Sequence, residues 1–139
     1  MNPAFVIDAS VAVTWLFRDE ITPQTAAVLR RLEVEPALVP AWWYVELANV
    51  IAMAERKNRI GISDATIFLA NLNDLEIEVD NEASQRAFTH LLPLCRAHQL
   101  TSYDAVYLEL ALRRHLPLAT LDDQLRKAAK KLDVKLLGL

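Results

Sequence analysis

Four carboxylates, Asp8, Glu46, Asp104 and Asp122, are the side chains of this sequence whose types and settings could do chemistry together. Gathered at one place they would repel one another, so either some hold protons or a cation neutralises them. An all-oxygen set without His or Cys suits a hard ion, magnesium or manganese, far better than zinc. A water on such an ion, deprotonated beside a carboxylate, can attack a phosphodiester phosphorus while the ion neutralises the charge developing on the phosphate. In that arrangement Asp8 and Asp104 are expected to bind the metal directly, with Glu46 and Asp122 acting through water or helping to hold a second ion.

Taken singly, each acid has a plainer use. An Asp that follows a strand commonly caps the next helix, which would account for Asp8 and Asp122. Thr120-Leu121-Asp122-Asp123 and Thr101-x-x-Asp104 both fit capping boxes with Asp in place of Glu. Glu46 fits that explanation less well, because between Ala41 and Ala54 only Glu46 and Asn49 are strongly polar. A carboxylate buried on an apolar helix face is costly unless paired or metal-bound; an exposed helix edge is the alternative. Asn49, one turn on, could orient Glu46 by hydrogen bonding, or could simply meet backbone or solvent. The joint pattern therefore matters more than any member, and it depends on the elements that carry the four acids.

Residues 4–7 read as a short buried strand bounded by Asp8, and Ser10 to Phe17 continue with helical apolar spacing. An amphipathic helix over 22–33 follows, then a very short strand bracketed by Pro36 and Pro40. The chain is expected to be helical from Trp42 to Lys57, with Leu47, Val50, Ile51 and Ala54 as the buried stripe. Gly61 and Ser63 open another helix running to Leu75. Ile77–Asp80 alternates like a strand and precedes a helix over 82–98; a further helix starts at Thr101 or Ser102 and ends near His115. Pro117–Thr120 reads as a strand, Asp122–Lys131 as a helix and Val134–Leu137 as a last strand. Short strands alternating with helices predict an α/β fold, a three-layer α/β/α sandwich around a short-stranded parallel sheet, in one domain over residues 1–139. In such a sheet ligands bind beyond the carboxyl ends of the strands, where strand order reverses. Asp8 and Asp122 would share that rim if their strands are neighbours.

At these residues the sequence resembles the PIN-domain family, and within it the VapC-type toxins. The resemblance runs through Phe5-Val6-Ile7-Asp8-Ala9-Ser10, Val39-Pro40, Glu46-Leu47-Ala48-Asn49, Ser102-Tyr103-Asp104-Ala105 and Leu118-Ala119-Thr120-Leu121-Asp122, so it covers nearly the whole chain. It implies that Asp8, Glu46, Asp104 and Asp122 form an acidic quartet, with Ser10 and Thr120 as hydroxyl supports. It also implies RNA hydrolysis giving a 5′-phosphate and a 3′-hydroxyl, a homodimer, and an antitoxin partner that holds the enzyme inactive. Two adjacent acids follow Thr120; Asp122 matches the pattern better, and Asp123 could share its task. A housekeeping nuclease of the same family, or a non-catalytic scaffold that binds RNA or protein, is the alternative.

Composition narrows the classes further. The chain has 139 residues, 53% hydrophobic and 24% charged, the balance of an ordered globular protein. Its 2 glycines exclude a P-loop, a dinucleotide turn and a nucleophile elbow, and its 1 cysteine excludes an internal disulfide. Only Asp8 is present in Phe5–Ser10, so a phospho-acceptor module lacks its acidic pair, and Ser10 stands where a haloacid-dehalogenase phosphatase needs a second Asp. No signal peptide or membrane span is expected, which points to the cytoplasm. The formal net charge of −3 argues against a nucleic-acid binder, yet with the four acids set aside around a cation that −3 becomes +1 for the rest of the surface. Arg126, Lys127, Lys130 and Lys131 make a basic helix face for RNA, with Arg113-Arg114 a second pair; a solvated surface is the plainer reading of both. Trp15, Phe17, Trp42 and Trp43 are expected to be core, with some lining a dimer contact or an antitoxin groove.

Overall fold

The computed structural model describes residues 2–137. Four strands, β1 (Phe5–Ile7), β2 (Ala37–Pro40), β3 (Ile77–Asp80) and β4 (Leu118–Ala119), form one parallel sheet in the order β3-β2-β1-β4. The two inner strands are buried throughout, as expected for apolar runs in a sheet covered on both faces. The register sets Val6 beside both Leu38 and Leu118, and Pro40 beside Asp80.

Eight helices connect and cover the sheet: α1 (Ala9–Leu16), α2 (Pro23–Leu32), α3 (Trp42–Arg56), α4 (Ile62–Asn73), α5 (Ala83–Arg86), α6 (Leu92–His98), α7 (Ser102–Arg114) and α8 (Asp123–Lys131). Parallel crossovers are almost always right-handed. The two steps β1 to β2 and β2 to β3 therefore put α1–α4 on one face, and the return from β3 to β4 puts α5–α7 on the other. Packing agrees, since α1 touches α2, α3 and α4, while α7 lies on β1, β2 and β4 and meets α6 and α8. This is the expected α/β/α sandwich. Trp43, Tyr107, Phe5 and Leu108 are among the largest fully buried side chains of its continuous core.

Three local expectations are corrected. The helix over 82–98 is broken by a π turn at Ala87–Leu91, just before Pro93, whose ring removes an amide donor and crowds the preceding turn. The last strand shrinks to a single bridge between Leu136 and Leu118, flanked by hydrogen bonds from Leu118 N to Lys135 O and Leu137 N to Leu118 O. Val50 and Ile51 are only half-buried, so the tight contact of α3 is made by Trp43, Leu47 and Ala54.

Candidate active site

Strand order reverses between β1 and β4, which lie side by side, and Asp8 and Thr120 immediately follow them. Asp8 is 3% exposed. Its position opens α1, but its side chain makes no capping bond to that helix. Instead Oδ2 accepts hydrogen bonds from Ser10 Oγ at 2.8 Å and Thr120 Oγ1 at 2.7 Å. Both hydroxyls are themselves held, Ser10 Oγ by the Leu121 amide at 3.0 Å and Thr120 Oγ1 by the Asp122 amide at 3.1 Å. Burial raises the Asp8 pKa, the two hydroxyls pull it back, and the charge of Asp122 adds to the rise.

Asp122 does cap α8: Oδ1 accepts from the Leu125 amide at 2.8 Å. The capping reading is thus right for Asp122, while its charge still reaches Asp8 and Asp104. Thr120 is not a cap, because its hydroxyl is turned to Asp8. Asp123 is exposed, whereas the charge of Asp122 is felt by Asp8 and Asp104.

Asp104 lies in the first turn of α7, but Thr101 caps that helix, its Oγ1 accepting from the Asp104 amide at 3.3 Å. The Asp104 carboxylate is therefore spared that work. Its pKa is raised by burial and then by Asp122 and Asp8.

Glu46 is half-buried on α3, and burial, reinforced by the charges of Asp8 and Asp104, pushes its pKa up to about 7. Its hydrogen bond comes from Tyr107, whose hydroxyl donates to Oε1 at 2.7 Å. Asn49 stands exposed and does not orient it. Trp42 exerts a weaker lowering influence on Glu46, although its Nε1 falls outside hydrogen-bond geometry and is buried without a partner. Burial and the neighbouring Glu46 hold the Tyr107 pKa far above its usual value, so the hydroxyl stays a donor. Tyr107 is the contact of Glu46 that sequence reading missed, since it sits in the mostly apolar stretch Ala105–Ala111 and reads as core.

The acids at this rim thus perturb one another from four separate elements. Among the described residues no ion pair involves Asp8, Glu46 or Asp104. Nor do any three acidic, His or Cys side chains close up there into a ready-made metal cage.

The basic residues divide. Arg126 turns inward, Nη1 donating to the Thr120 carbonyl at 2.9 Å, whereas Lys127, Lys130 and Lys131 are exposed. Arg113 is taken out of the expected RNA-binding pair: it is bonded to Asp80, Glu82 and Glu109. A cleft of about 580 Å³ lies between α1, α2 and α4, lined by Trp15, Leu29, Phe68 and Leu72 together with Glu33, Asp64 and Asp74, and none of the four acids lines it. Trp43 and Phe17 are core, as expected.

The PIN-domain family matches residues 5–131. The chain is a PIN domain. No curated protein matches it significantly. Among solved structures, this PIN domain is similar to a Pyrobaculum aerophilum protein, with a TM-score of 0.68 at 20% identity over 92% of this chain and 87% of that one. A toxin–antitoxin complex from Klebsiella pneumoniae gives 0.57 at 15% identity, over 86% and 87% of the two chains. VapBC2 from Rickettsia felis, bound to a DNA fragment from its promoter, gives 0.62 at 14% identity over 96% of each. At such identities the likeness is one of fold. No helix among the described residues of this PIN domain is long and apolar enough to cross a membrane.

Proposed function

We propose that this chain is a magnesium- or manganese-dependent endoribonuclease and the toxin half of a VapBC-type pair. PIN domains are generally metal-dependent nucleases. One observation carries the reading for this chain: burial first, and then the charge of at least one neighbouring acid, raises the pKa of Asp8, Glu46 and Asp104 at the strand switch point, and among the described residues no basic side chain is paired to any of them. The donor set fits a hard cation because it is all oxygen, and such an ion, magnesium above all, keeps several of its waters.

Asp8 and Asp104 would hold the ion, with Asp122 beside them. Bound there, the ion supplies an activated water and neutralises charge on the phosphate. Glu46 is the acid best tuned to take a proton near neutral pH, and Tyr107 occupies its Oε1, leaving Oε2 for that proton. Ser10 and Thr120 fix the Asp8 carboxylate, and the exposed lysines of α8 offer salt-sensitive phosphate contacts.

The antitoxin partner is supported by the toxin–antitoxin complexes among the structural neighbours, and a homodimer belongs to the same reading. The cleft lined by Trp15, Phe68 and Leu72, with Glu33, Asp64 and Asp74 among its polar residues, would be the seat for an antitoxin helix. Incubation of purified protein, freed of any partner, with total RNA plus magnesium or chelator tests the activity. Magnesium-dependent cuts carrying 5′-phosphates are expected, and cleavage unaffected by chelator would remove the proposal.

A further inference from the structure

Two aromatic rings stand at the edge of the acidic rim. Trp42, in the first turn of α3 and one turn before Glu46, is stacked on Tyr103, with centroids 4.6 Å apart and planes 17° from parallel. Tyr103 immediately precedes Asp104 in the first turn of α7 and is 56% exposed. One face of its ring is therefore covered by the indole while the other remains open to solvent. Burying both faces would be the ordinary fate of a core aromatic, and a free surface tyrosine would not be held flat by a second ring. Leu121, between Thr120 and Asp122, is 40% exposed.

We propose that the open face of Tyr103 is a stacking platform for one unpaired nucleobase of the RNA strand whose phosphate the carboxylates address. The inference rests on the nuclease reading. In a single strand every phosphate has a base within one nucleotide step, so a ligand that sets its phosphate against Asp8 and Asp104 brings a π-face to the residue next to Asp104. Every base has such a face, so stacking on Tyr103 tolerates sequence but demands an unstacked base. A duplex, whose bases are already stacked inside, cannot use it. Because Trp42 already fixes the ring, little ordering is required on binding.

The test uses Glu46→Gln protein, which keeps Asp8 and Asp104 but lacks the proton acceptor and so spares the RNA, with magnesium and a short single-stranded RNA of mixed sequence. The RNA carries 2-aminopurine, a base whose fluorescence is quenched by stacking, moved one position at a time. Quenching confined to one or two positions is expected, retained in Tyr103→Phe and lost in Tyr103→Leu, with binding by the latter weakened roughly tenfold or more. The same sequence as a duplex should not be quenched. Equal binding and quenching by Tyr103→Leu, with wild-type protein still cutting RNA, would sink the platform and leave the nuclease reading standing. Wild-type protein that neither binds nor cuts RNA would overturn both.

Discussion

At the end of β3, the buried Asp80 and Glu109 are met by Arg113 and Arg86; at the ends of β1 and β4, the buried Asp8 and half-buried Glu46 and Asp104 are met by hydroxyls and by each other. Both clusters sit on the same rim of one parallel sheet, yet their charges are handled in opposite ways. At Asp80 burial alone would raise the pKa, but the Arg113 hydrogen bonds and charge and the Glu82 amide outweigh it, and the net result is lowered. At Asp8, Glu46 and Asp104 nothing outweighs burial, and all three are raised. The first cluster is electrically complete and serves the fold. The second has no basic partner among the described residues, which is why it reads as the candidate working site.

The largest effect that could break this contrast is on cleavage. Asp8→Asn or Asp104→Asn should lower the rate of RNA cleavage by about a thousandfold or more, as when a group acting on the reacting atoms is lost. Circular dichroism should show the fold retained. If either protein cuts at the wild-type rate, the two clusters do not differ in the way argued.

The next effect belongs to the other cluster. Arg113→Met leaves Asp80, whose side chain is 7% exposed, without its ion-pair partner and Glu109, 6% exposed, with Arg86 alone. Removing one partner of a buried pair typically costs about 3–5 kcal/mol. Urea unfolding should register that loss, while cleavage per folded molecule stays near wild type. A stable Arg113→Met protein with impaired cleavage would mean that the β3 cluster takes part in the chemistry.

The same contrast explains what could be read in advance. Asp8 and Asp122 were legible because they follow short apolar runs that could only be strands, and the alternation of elements dictated the sandwich. Glu46 was flagged as a lone acid in an apolar helix. Glu109 has the same pattern in Val106–Ala111, yet its answer is a pair of arginines brought from elsewhere in the chain and from one turn on. A buried acid thus announces itself locally, but whether an arginine or a metal satisfies it is decided by residues distant in sequence. Tyr107 was hidden for a related reason: an apolar helix explains its ring, and only the requirement that a buried hydroxyl find a partner points to Glu46. The π turn had a local signal in Pro93, and the single bridge at Leu136 had none.

Tyr107→Phe sharpens the contrast by removing the one strong hydrogen bond to Glu46 without touching a charge. Partners of this orienting kind typically contribute about 10–100-fold to activity or metal affinity. A fall of about tenfold in cleavage is expected, with more magnesium needed for half-maximal rate and only about 1 kcal/mol lost in urea unfolding. Unchanged kinetics would reduce Tyr107 to core packing.

The smallest expected effect tests the missing counter-charge directly. Glu46 holds its proton up to about pH 7 in the folded, metal-free protein, whereas the unfolded chain releases it near the ordinary glutamate value of 4.5. Between those limits the folded state binds more protons, so its stability must fall as pH rises through that window. Asp8 and Asp104, also raised, tilt it the same way. Thermal melts in chelator should therefore give a lower Tm at pH 8 than at pH 5.5, with part of the difference recovered on adding magnesium. Solvent screening at this half-buried group keeps the tilt modest. Glu46→Gln, which cannot ionise, should flatten it. A tilt of equal size in wild type and Glu46→Gln would show that Glu46 carries no unmet charge.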